Sequence, residues 1–414
     1  MSDTIFALAS GEGLCAISVI RVSGPDADQA LRMLCGGAPP PSPRQAALRK
    51  ICHPSTGATL DHCLVLRFAA PASFTGEDSF ELHVHGGRAV VAGVLGALGE
   101  CPNLRLAEPG EFTRRAFLNG KMDLTEAEGL ADLIEANTTA QRDQALALAG
   151  GQLRSRADAW RQAILSLQAQ AEADIDFSDE DDVPSDVTAG MMAQVASLCR
   201  EMEAVLSEGR RGEIVRRGFT VVLAGAPNAG KSSLMNALVR RDVAIVSAIP
   251  GTTRDLIEAS LDLDGLPITL VDTAGLREAG DEIEVEGIRR AKARAEAADL
   301  VLWLSPVGEK SEPAELFNVP VLRILTKSDL HPADSLPEQS HALSSRTGEG
   351  IDALLDLITQ RARIALRPEE PALMTRERHR SGIGDAMHAL RRIAPGMPIE
   401  VAAEELRIGA RALG

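Results

Sequence analysis

The sequence predicts an α/β fold combined with an all-α one. An N-terminal α/β domain precedes a helical domain, into which a second, doubly wound α/β domain is inserted. Strand-like and helix-like segments alternate from residue 219 to about 365, as they do in a doubly wound sheet. Residues 125 to 206 and 375 to 414, on either side of this region, have helical patterns, and the first of them contains few β-branched residues. The first 118 residues mix strand-like runs with a helix-like run.

The N-terminal domain is assigned to residues 1–118. Short apolar runs predict strands, and one longer apolar run predicts a buried helix. Gly36–Pro43 is rich in Pro and Gly and therefore predicts a loop. The predicted elements are strands at Ala16–Val22, Cys63–Phe68 and Phe80–His85 and a helix at Ala89–Leu98.

The helical domain is assigned to residues 119–215 and 371–414. Thr125 and Glu128 have the spacing of a capping box, in which the threonine hydroxyl accepts a backbone hydrogen bond and the glutamate reaches back to the helix start. The acidic run Asp174–Asp186 predicts a solvated loop that ends a helix. Helices are predicted up to Ala149, at Leu153–Ala173 and at Ala189–Leu206.

The inserted α/β domain is assigned to residues 216–370. Asp264–Gly265 is a strong turn dipeptide and predicts a hairpin. The predicted elements are strand Phe219–Gly225, helix Lys231–Val239, hairpin strands Glu258–Leu263 and Ile268–Asp272, helix Glu284–Ala297, strands Leu300–Leu304, Val319–Leu325 and Ala342–Leu343, and helix Ile351–Ala365.

Composition excludes several classes of protein. The 414 residues correspond to two to three domains, and no apolar run approaches the roughly 18 residues that a membrane span needs. The six cysteines are scattered without CxxC spacing, which argues against a zinc site or a disulfide framework and favours the cytoplasm. The formal charge of −16 opposes nonspecific nucleic-acid binding, so a nucleic-acid partner must meet a local patch or arrive through another protein.

One motif indicates nucleotide chemistry. Gly225–Ser232, with the sequence GAPNAGKS, matches the phosphate-loop pattern GxxxxGK[ST] between a predicted strand and a predicted helix. In such a loop the backbone N–H groups surround the β-phosphate, and the helix N-terminus adds positive potential. We expect Lys231 to neutralise β- and γ-phosphate oxygens and Ser232 to ligate magnesium.

Three further motifs follow in the order that a GTPase requires. In GTTRD, at Gly251–Asp255, a threonine can complete the magnesium shell, and the aspartate of DTAG, at Asp272–Gly275, can reach the metal through water. The carboxylate of TKSD, at Thr326–Asp329, can accept hydrogen bonds from the N1 and N2 donors of guanine, which adenine lacks. Ser344–Ser345 then supplies a backbone contact to the base. Guanine is therefore the predicted base.

Two residues refine the expected mechanism. Leu276 stands where Ras-like enzymes have a water-orienting glutamine, so we take Glu284 as the candidate for that role. A merely solvated Glu284 is the alternative. The side-chain carbonyl of Asn228 can hold a monovalent cation against the phosphates, or the residue simply forms a turn. The acidic residues that compete with Glu284 are Glu278, Asp281, Glu282 and Glu286.

At these residues the chain resembles the MnmE (TrmE) family of tRNA modification GTPases, which act on the wobble uridine of certain tRNAs. The resemblance covers essentially the whole chain, because four segments ahead of the phosphate loop are similar to family signatures. They are IRVSG at Ile20–Gly24, SFTGED at Ser73–Asp78, HGG at His85–Gly87 and PGEFTRRAFLNGK at Pro109–Lys121.

The resemblance implies that the N-terminal domain dimerises and binds a tetrahydrofolate derivative, in a 5-formyl or methylene form, as one-carbon donor. Arg21, Glu81 and Lys121 match the folate-contacting positions. The two cationic residues suit the carboxylates of a folate, and the glutamate suits its ring N–H groups. The resemblance also implies a Ras-like G domain that dimerises with GTP and potassium. A flavoprotein partner, MnmG (GidA), joins in a heterotetramer or larger complex, and a carboxymethylaminomethyl-type group is added at C5 of the wobble uridine.

The motifs and the resemblance together assign the site residues. The catalytic glutamate is Glu284, and the Mg²⁺ ligands are Ser232 and Thr253. The resemblance implies K⁺ ligands at Asn228, Ser247, Ile249 and Thr252. The full nucleotide-binding set is Asn228, Ala229, Gly230, Lys231, Ser232, Ser233, Ser247, Ala248, Ile249, Pro250, Gly251, Thr252, Thr253, Asp272, Thr273, Ala274, Gly275, Thr326, Lys327, Asp329, Ser344 and Ser345.

Two features depart from the family pattern. Thr326 replaces the usual Asn of Asn-Lys-x-Asp, and because threonine still forms hydrogen bonds we expect only a modest change in nucleotide affinity. The sequence stops at Ala412–Gly414, before the family's C-terminal Cys-Ile-Gly-Lys tail. The expectation is that the sequence is truncated or lacks this tail, and no cysteine is assigned a catalytic role.

Two other functions fit some of the same motifs. A ribosome-assembly GTPase that binds rRNA would share all G-domain motifs, but its expected basic appendage is missing from the sequence. Co-sedimentation with ribosomal subunits would favour it. A non-enzymatic folate- or nucleotide-sensing scaffold would show no GTP turnover in any salt.

Overall fold

The computed structural model describes residues 3–176, 186–225, 228–241, 244–245, 258–272, 297–309, 319–331, 341–367 and 372–414. Contacts between residues divide the chain into two compact units, Met1–Ala127 and Glu128–Gly414. No helix in these described ranges has both the length and the apolar character of a membrane span.

The first unit is built on a mixed six-stranded sheet. Its order is β3-β4-β5-β2-β1-β6, in which β1 and β6 run parallel and all other neighbours run antiparallel. Phe6, Phe80 and Leu98 contribute to its apolar core. The elements are β1 (Thr4–Leu8), β2 (Ile17–Ser23), α1 (Ala27–Leu34), β3 (Ala47–Cys52), β4 (Thr59–Phe68), β5 (Ser79–His85), α2 (Arg88–Gly99), β6 (Leu104–Leu106) and α3 (Glu111–Leu118).

The three predicted strands and the predicted helix of this unit are confirmed as β2, β4, β5 and α2. Sequence reasoning missed β1, β3, β6, α1 and α3. The reason is clearest for α3, whose inward face carries the buried charged side chains of Glu111 and Arg115 instead of an apolar stripe. Strand β3 lacks a continuous apolar run, because the adjacent Arg49 and Lys50 interrupt it.

Helices before and after the inserted sheet share one apolar cluster. Trp160 and Ile164 from the first part pack in the same cluster as Leu390 and Leu406 from the second. Burial of these side chains is the main favourable term that holds the helices together. The helices are α4 (Leu124–Glu135), α5 (Thr139–Ala149), α6 (Gln152–Asp176), α7 (Asp186–Ser207), α8 (Gly209–Arg217), α11 (Glu377–Arg392) and α12 (Ile399–Ala412).

The capping box predicted at the start of α4 was wrong by two residues. The Glu126 backbone N–H donates to Asp123 Oδ1 at 2.8 Å, and the Asp123 N–H donates to Glu126 Oε2 at 2.7 Å. Thr125 therefore lies within the helix, and Glu128 accepts hydrogen bonds from Arg378 instead. Asp123 and Glu126 have the same spacing as Thr125 and Glu128, so the sequence contains two overlapping capping-box patterns. Aspartate caps a helix as well as threonine does.

A seven-stranded sheet forms the inserted domain in the order β13-β12-β11-β7-β10-β9-β8. The strands from β13 to β10 run parallel, and β9 and β8 run antiparallel to their neighbours. The elements are β7 (Phe219–Gly225), α9 (Lys231–Val239), β8 (Ala244–Ile245), β9 (Glu258–Leu263), β10 (Leu266–Asp272), β11 (Leu300–Pro306), β12 (Val321–Thr326), a 3₁₀ turn (Ser328–Leu330), β13 (His341–Ala342) and α10 (Ile351–Leu366).

This arrangement confirms the predicted parallel sheet and the hairpin at Asp264–Gly265. The described helices α8, α9 and α10 join one apolar cluster with the sheet, and helices on its second face stay a prediction. The last strand begins at His341, one residue before the predicted start. Residues 284–296 of the predicted helix Glu284–Ala297 and residues 177–185 of the predicted acidic loop lie outside the described residues. Parallel β7, β10 and β12 bring their carboxyl ends to one edge of the sheet, which is where ligands bind in such folds.

Candidate functional site

The phosphate loop connects β7 to α9, and its backbone conformation explains why glycine stands at Gly225 and Gly230. Gly225 has a φ of 138°, and a Cβ at this position would overlap the carbonyl oxygen of Leu304. Asn228 and Gly230 are also left-handed, with φ values of 61° and 92°. The Lys231 side chain folds over the loop, and its Nζ donates to the Gly225 carbonyl oxygen at 2.9 Å. The loop therefore brings an ammonium group to the N-terminus of α9.

A hydroxyl and a carboxylate meet beside this loop. Ser232, in the first turn of α9, donates from Oγ to Oδ2 of Asp272 at 2.7 Å. Asp272 is the last residue of β10 and is buried. Both groups are hard oxygen ligands of the type that Mg²⁺ prefers. These two side chains are therefore the described residues that could hold a magnesium ion beside the phosphate loop.

The predicted base-reading segment is bonded to the phosphate loop. The buried Thr326 hydroxyl donates to the carbonyl oxygen of Ala229 at 2.8 Å. Lys327 follows in a left-handed conformation with a φ of 60° and leads into the 3₁₀ turn that carries Asp329. The threonine at this position therefore anchors the loop through one hydrogen bond.

The Asp329 carboxylate is held in place on both oxygens. Its Oδ1 accepts from Ser344 Oγ at 2.7 Å, and Nε of Arg346 lies 3.1 Å from its Oδ2. The backbone N–H groups of Arg346 and Thr347 in turn donate to the buried Ser344 hydroxyl. The hydrogen bond from Ser344 and the charge of Arg346 hold the pKa of Asp329 below its usual value. An ionised carboxylate at this sheet edge can accept two hydrogen bonds from a guanine edge.

The structure thus brings the described members of the predicted nucleotide set to one sheet edge. Ser233 is an exposed residue of α9, and Ser345 is half-buried beside Ser344. The predicted residues that lie outside the described part of the chain are Ser247, Ala248, Ile249, Pro250, Gly251, Thr252, Thr253, Thr273, Ala274, Gly275 and Glu284.

In the first unit, two of the three predicted folate residues form an ion pair. Arg21 on β2 and Glu81 on β5 are cross-strand partners, and Arg21 Nε donates to Glu81 Oε1 at 3.0 Å. The Arg21 guanidinium also lies 5.1 Å from the centre of the Phe74 ring and 5.6 Å from that of Phe112. The arginine and the glutamate therefore form one unit, whereas sequence reasoning assigned them to different ends of a folate.

The third residue, Lys121, contacts the loop that contains Phe74. A Cβ at Gly76 would lie 3.2 Å from Lys121 Cγ, so the lysine stem packs directly on this loop. Asn119 fixes the same loop, because its Nδ2 donates to the Thr75 carbonyl oxygen at 2.7 Å. The loop at residues 73–78 therefore contacts Arg21 through Phe74 and Lys121 at Gly76.

A buried ion network supports this loop. The fully buried Arg115 donates to Asp3, Glu77 and Glu111 at 3.0–3.2 Å, and Arg105 pairs with Asp3 and Glu111. The hydrogen bonds from Arg105 lower the pKa of Glu111 to about 2, against burial, which acts in the opposite direction. They also lower the pKa of Asp3. Glu111 and Asp3 therefore stay ionised at neutral pH.

Sequence reasoning missed four residues of these sites. Phe74, Phe112 and Arg115 lie within the quoted family-like segments, and Arg346 directly follows Ser344–Ser345. Their positions next to motif residues were a signal that they lie near the sites. Their contacts were not predictable, because the partners come from other strands and loops.

Comparisons with known proteins identify the family to which the chain is similar. The family described as "GTP-binding protein TrmE N-terminus" matches residues 4–121, and that described as "MnmE helical domain" matches residues 124–414. A protein of Methylorubrum populi named tRNA modification GTPase MnmE is 54% identical over 416 residues, covering 100% of this chain and 93% of its own length. Proteins of the same name from a Methylobacterium species and a Bradyrhizobium species are 53% and 50% identical, each over 100% of this chain and over 95% and 94% of their own lengths.

Proposed function

The chain belongs to the MnmE (TrmE) family, and on this premise we propose that it is a tRNA modification GTPase, the activity for which its relatives are named. The observation that carries the proposal is the convergence of three features at one sheet edge. They are the phosphate loop, the Ser232–Asp272 pair and the Asp329 carboxylate. These features suit the phosphates, the metal and the base of GTP, respectively.

Hydrolysis then depends on positioning and charge, because phosphoryl transfer spreads negative charge over the γ-phosphate oxygens. The loop N–H groups hold the β-phosphate, and Lys231 neutralises part of the developing charge. A magnesium ion held by Ser232 and Thr253 supplies further positive charge when bound. Glu284 orients the attacking water. Replacing Glu284 by Ala should leave GTP binding intact and slow hydrolysis, and normal turnover would assign the role to a neighbouring acid.

Base selectivity is the sharpest test of the nucleotide assignment. Asp329 accepts from guanine N1–H and N2–H, so Asp329→Asn should weaken GTP binding and improve xanthosine triphosphate binding. Asparagine keeps one acceptor and adds a donor that matches the extra carbonyl of xanthine. Titration of both nucleotides against both proteins measures the change. Unchanged GTP affinity in the variant would contradict the role of Asp329.

We propose that potassium stimulates GTP hydrolysis and that the G domains dimerise when GTP and potassium are bound. The cation ligands would be Asn228, Ser247, Ile249 and Thr252. The left-handed Asn228 in the phosphate loop supports a position close to the phosphates. GTP turnover in potassium chloride and sodium chloride at equal ionic strength tests this, with Asn228→Ala as the control. Stimulation that disappears in the variant is expected. Equal rates of GTP hydrolysis in both salts would contradict the cation mechanism. That result would not contradict the proposal that the chain binds GTP.

For tRNA modification, we propose that the chain works in the cytoplasm as a homodimer with the flavoprotein partner MnmG. It adds a carboxymethylaminomethyl-type group at C5 of the wobble uridine. Arg21, Glu81 and Lys121 would hold a tetrahydrofolate derivative, which supplies the one-carbon unit when bound. Mass spectrometry of tRNA nucleosides from a strain that lacks the gene, complemented with wild type or Lys121→Ala, tests this. Fully modified wobble uridines without the gene would contradict the proposal.

A further inference from the structure

The two connections between the inserted α/β domain and the helical domain touch each other. The chain enters the domain through α8 and leaves it at Ala372, after α10. A Cβ on Gly212 of α8 would overlap the carbonyl oxygen of Met374, so the two backbones are in direct contact. Any change in the position of one connection must therefore affect the other.

Gln144 on α5 bridges these connections. Its side chain is buried, with the residue only 4% exposed, and its Nε2 donates to the carbonyl oxygens of both Gly212 and Ala372, at 3.2 and 2.8 Å. The two protons of one amide group thus serve the entering and the leaving segment at once. Loss of the amide would leave two buried carbonyl groups without this donor.

Asp132 on α4 forms a second bridge between the same segments. Its Oδ1 accepts from Nε of Arg216 at 3.1 Å and from Nη2 of Arg376 at 2.8 Å. Arg216 belongs to the entering helix α8, and Arg376 immediately precedes α11 in the leaving segment. The α4–α5 segment therefore holds both connections by two independent side chains.

The N-terminus of α5 also contacts the G-domain sheet. The backbone N–H of Ala140 donates to the carbonyl oxygen of Gly265 at 3.1 Å, and Gly265 is the turn between β9 and β10. Strand β10 runs from this turn to Asp272, which is bonded to Ser232. A shift of β10 on nucleotide binding would therefore move the turn that α5 holds.

We propose that the α4–α5 segment couples the nucleotide state of the α/β domain to the helical domain, with Gln144 and Asp132 as its positioning residues. The path runs from Asp272 along β10 to Gly265, through α5 to Gln144, and from there to the segment that starts α11. It rests on the proposed GTPase function for its nucleotide part. Hydrogen bonds between separate elements form this path, and such a network carries coupling when one of its elements has two arrangements that both sites bias.

Hydrogen–deuterium exchange of the full chain tests this coupling. The wild type should show a difference between GDP and a non-hydrolysable GTP analogue both at residues 139–149 and at residues 372–392. Gln144→Ala should lose the difference at 372–392 and change the affinity for either nucleotide by less than about twofold, because the Gln144 amide bonds Gly212 and Ala372 and none of the described nucleotide-site residues. Gln168→Ala on α6, whose amide bonds only Glu172 among the described residues, is the matched control.

Asp132→Asn is the second variant, and it decides the matter if Gln144→Ala does not fold. It removes the charge that holds Arg216 and Arg376 but keeps the shape of the side chain. Two results would overturn the proposal. In the first, the folded variants keep the nucleotide-dependent difference in hydrogen exchange at residues 372–392. In the second, the wild type binds both nucleotides but shows no difference in exchange at these residues. Failure of the wild type to bind guanine nucleotides is distinguishable, because it would refute the proposed GTPase function itself.

Discussion

Arg115 is the residue whose replacement should have the largest effect on the first unit. Its guanidinium is fully buried and serves three carboxylates, those of Asp3, Glu77 and Glu111. Arg115→Met keeps an unbranched apolar stem and leaves Asp3 and Glu111 paired with Arg105, but it removes the arginine that bonds Glu77. Removal of one partner from a buried ion pair costs about 3–5 kcal/mol. We expect a loss of that size in the free energy of unfolding of this unit.

Hydrogen exchange of the slowest amides in β2 and β5 measures this free energy without interference from the second unit. A loss of about 3–5 kcal/mol corresponds to exchange that is faster by roughly 100-fold to several thousand-fold. The matched control is Arg114→Met, because Arg114 is 56% exposed and its nearest carboxylates are 3.7–3.9 Å away. That variant should stay within about 0.5 kcal/mol of the wild type. Equal exchange rates in the two variants would refute the assignment of Arg115 as the central cation of the network.

Three further predictions concern the nucleotide site and the response to acid. Thr326→Val removes the donor to the Ala229 carbonyl and should weaken mant-GDP binding, since an unsatisfied buried acceptor costs roughly 1–3 kcal/mol, whereas Thr326→Ser should bind normally. Arg346→Ala frees one oxygen of Asp329, for which Arg346 and the guanine base would compete. The variant should bind mant-GDP up to about fivefold more tightly, which corresponds to the free energy of an exposed ion pair. Weaker binding of mant-GDP would contradict this competition. Arg105 lowers the pKa of Glu111 from 4.5 to about 2, so the unfolded chain binds a proton at Glu111 more tightly than the folded chain does. The free energy of unfolding that this carboxylate contributes is therefore fully present above pH 4.5 and should be lost as the pH falls towards 2. Urea unfolding at pH 7 and pH 3.5 checks this, and Glu111→Gln should show a smaller difference between the two.

Local features of the sequence were sufficient for much of the fold. The phosphate loop between β7 and α9 and the hairpin at Asp264–Gly265 both depend on residues adjacent in the chain, and both are confirmed. Glycine at left-handed positions and the alternation of apolar residues act over a few residues, so they are visible in a single sequence. The position of Asp329 after the end of β12, beside Ser344, was likewise predictable from the order of the motifs, and its role in binding the base stays a prediction.

Tertiary structure decided what depends on partners distant in the sequence. The sequence shows Arg114 and Arg115 as equivalent neighbours, but only the fold determines that Arg115 is buried among carboxylates and Arg114 is exposed. Gln144 lies in an ordinary helical segment, yet its two acceptors are 68 and 228 residues away. Sequence by itself determined the local conformations and the nucleotide motifs. The fold decided which charged and polar side chains are desolvated and paired, because pairing requires groups that meet only after the elements have packed.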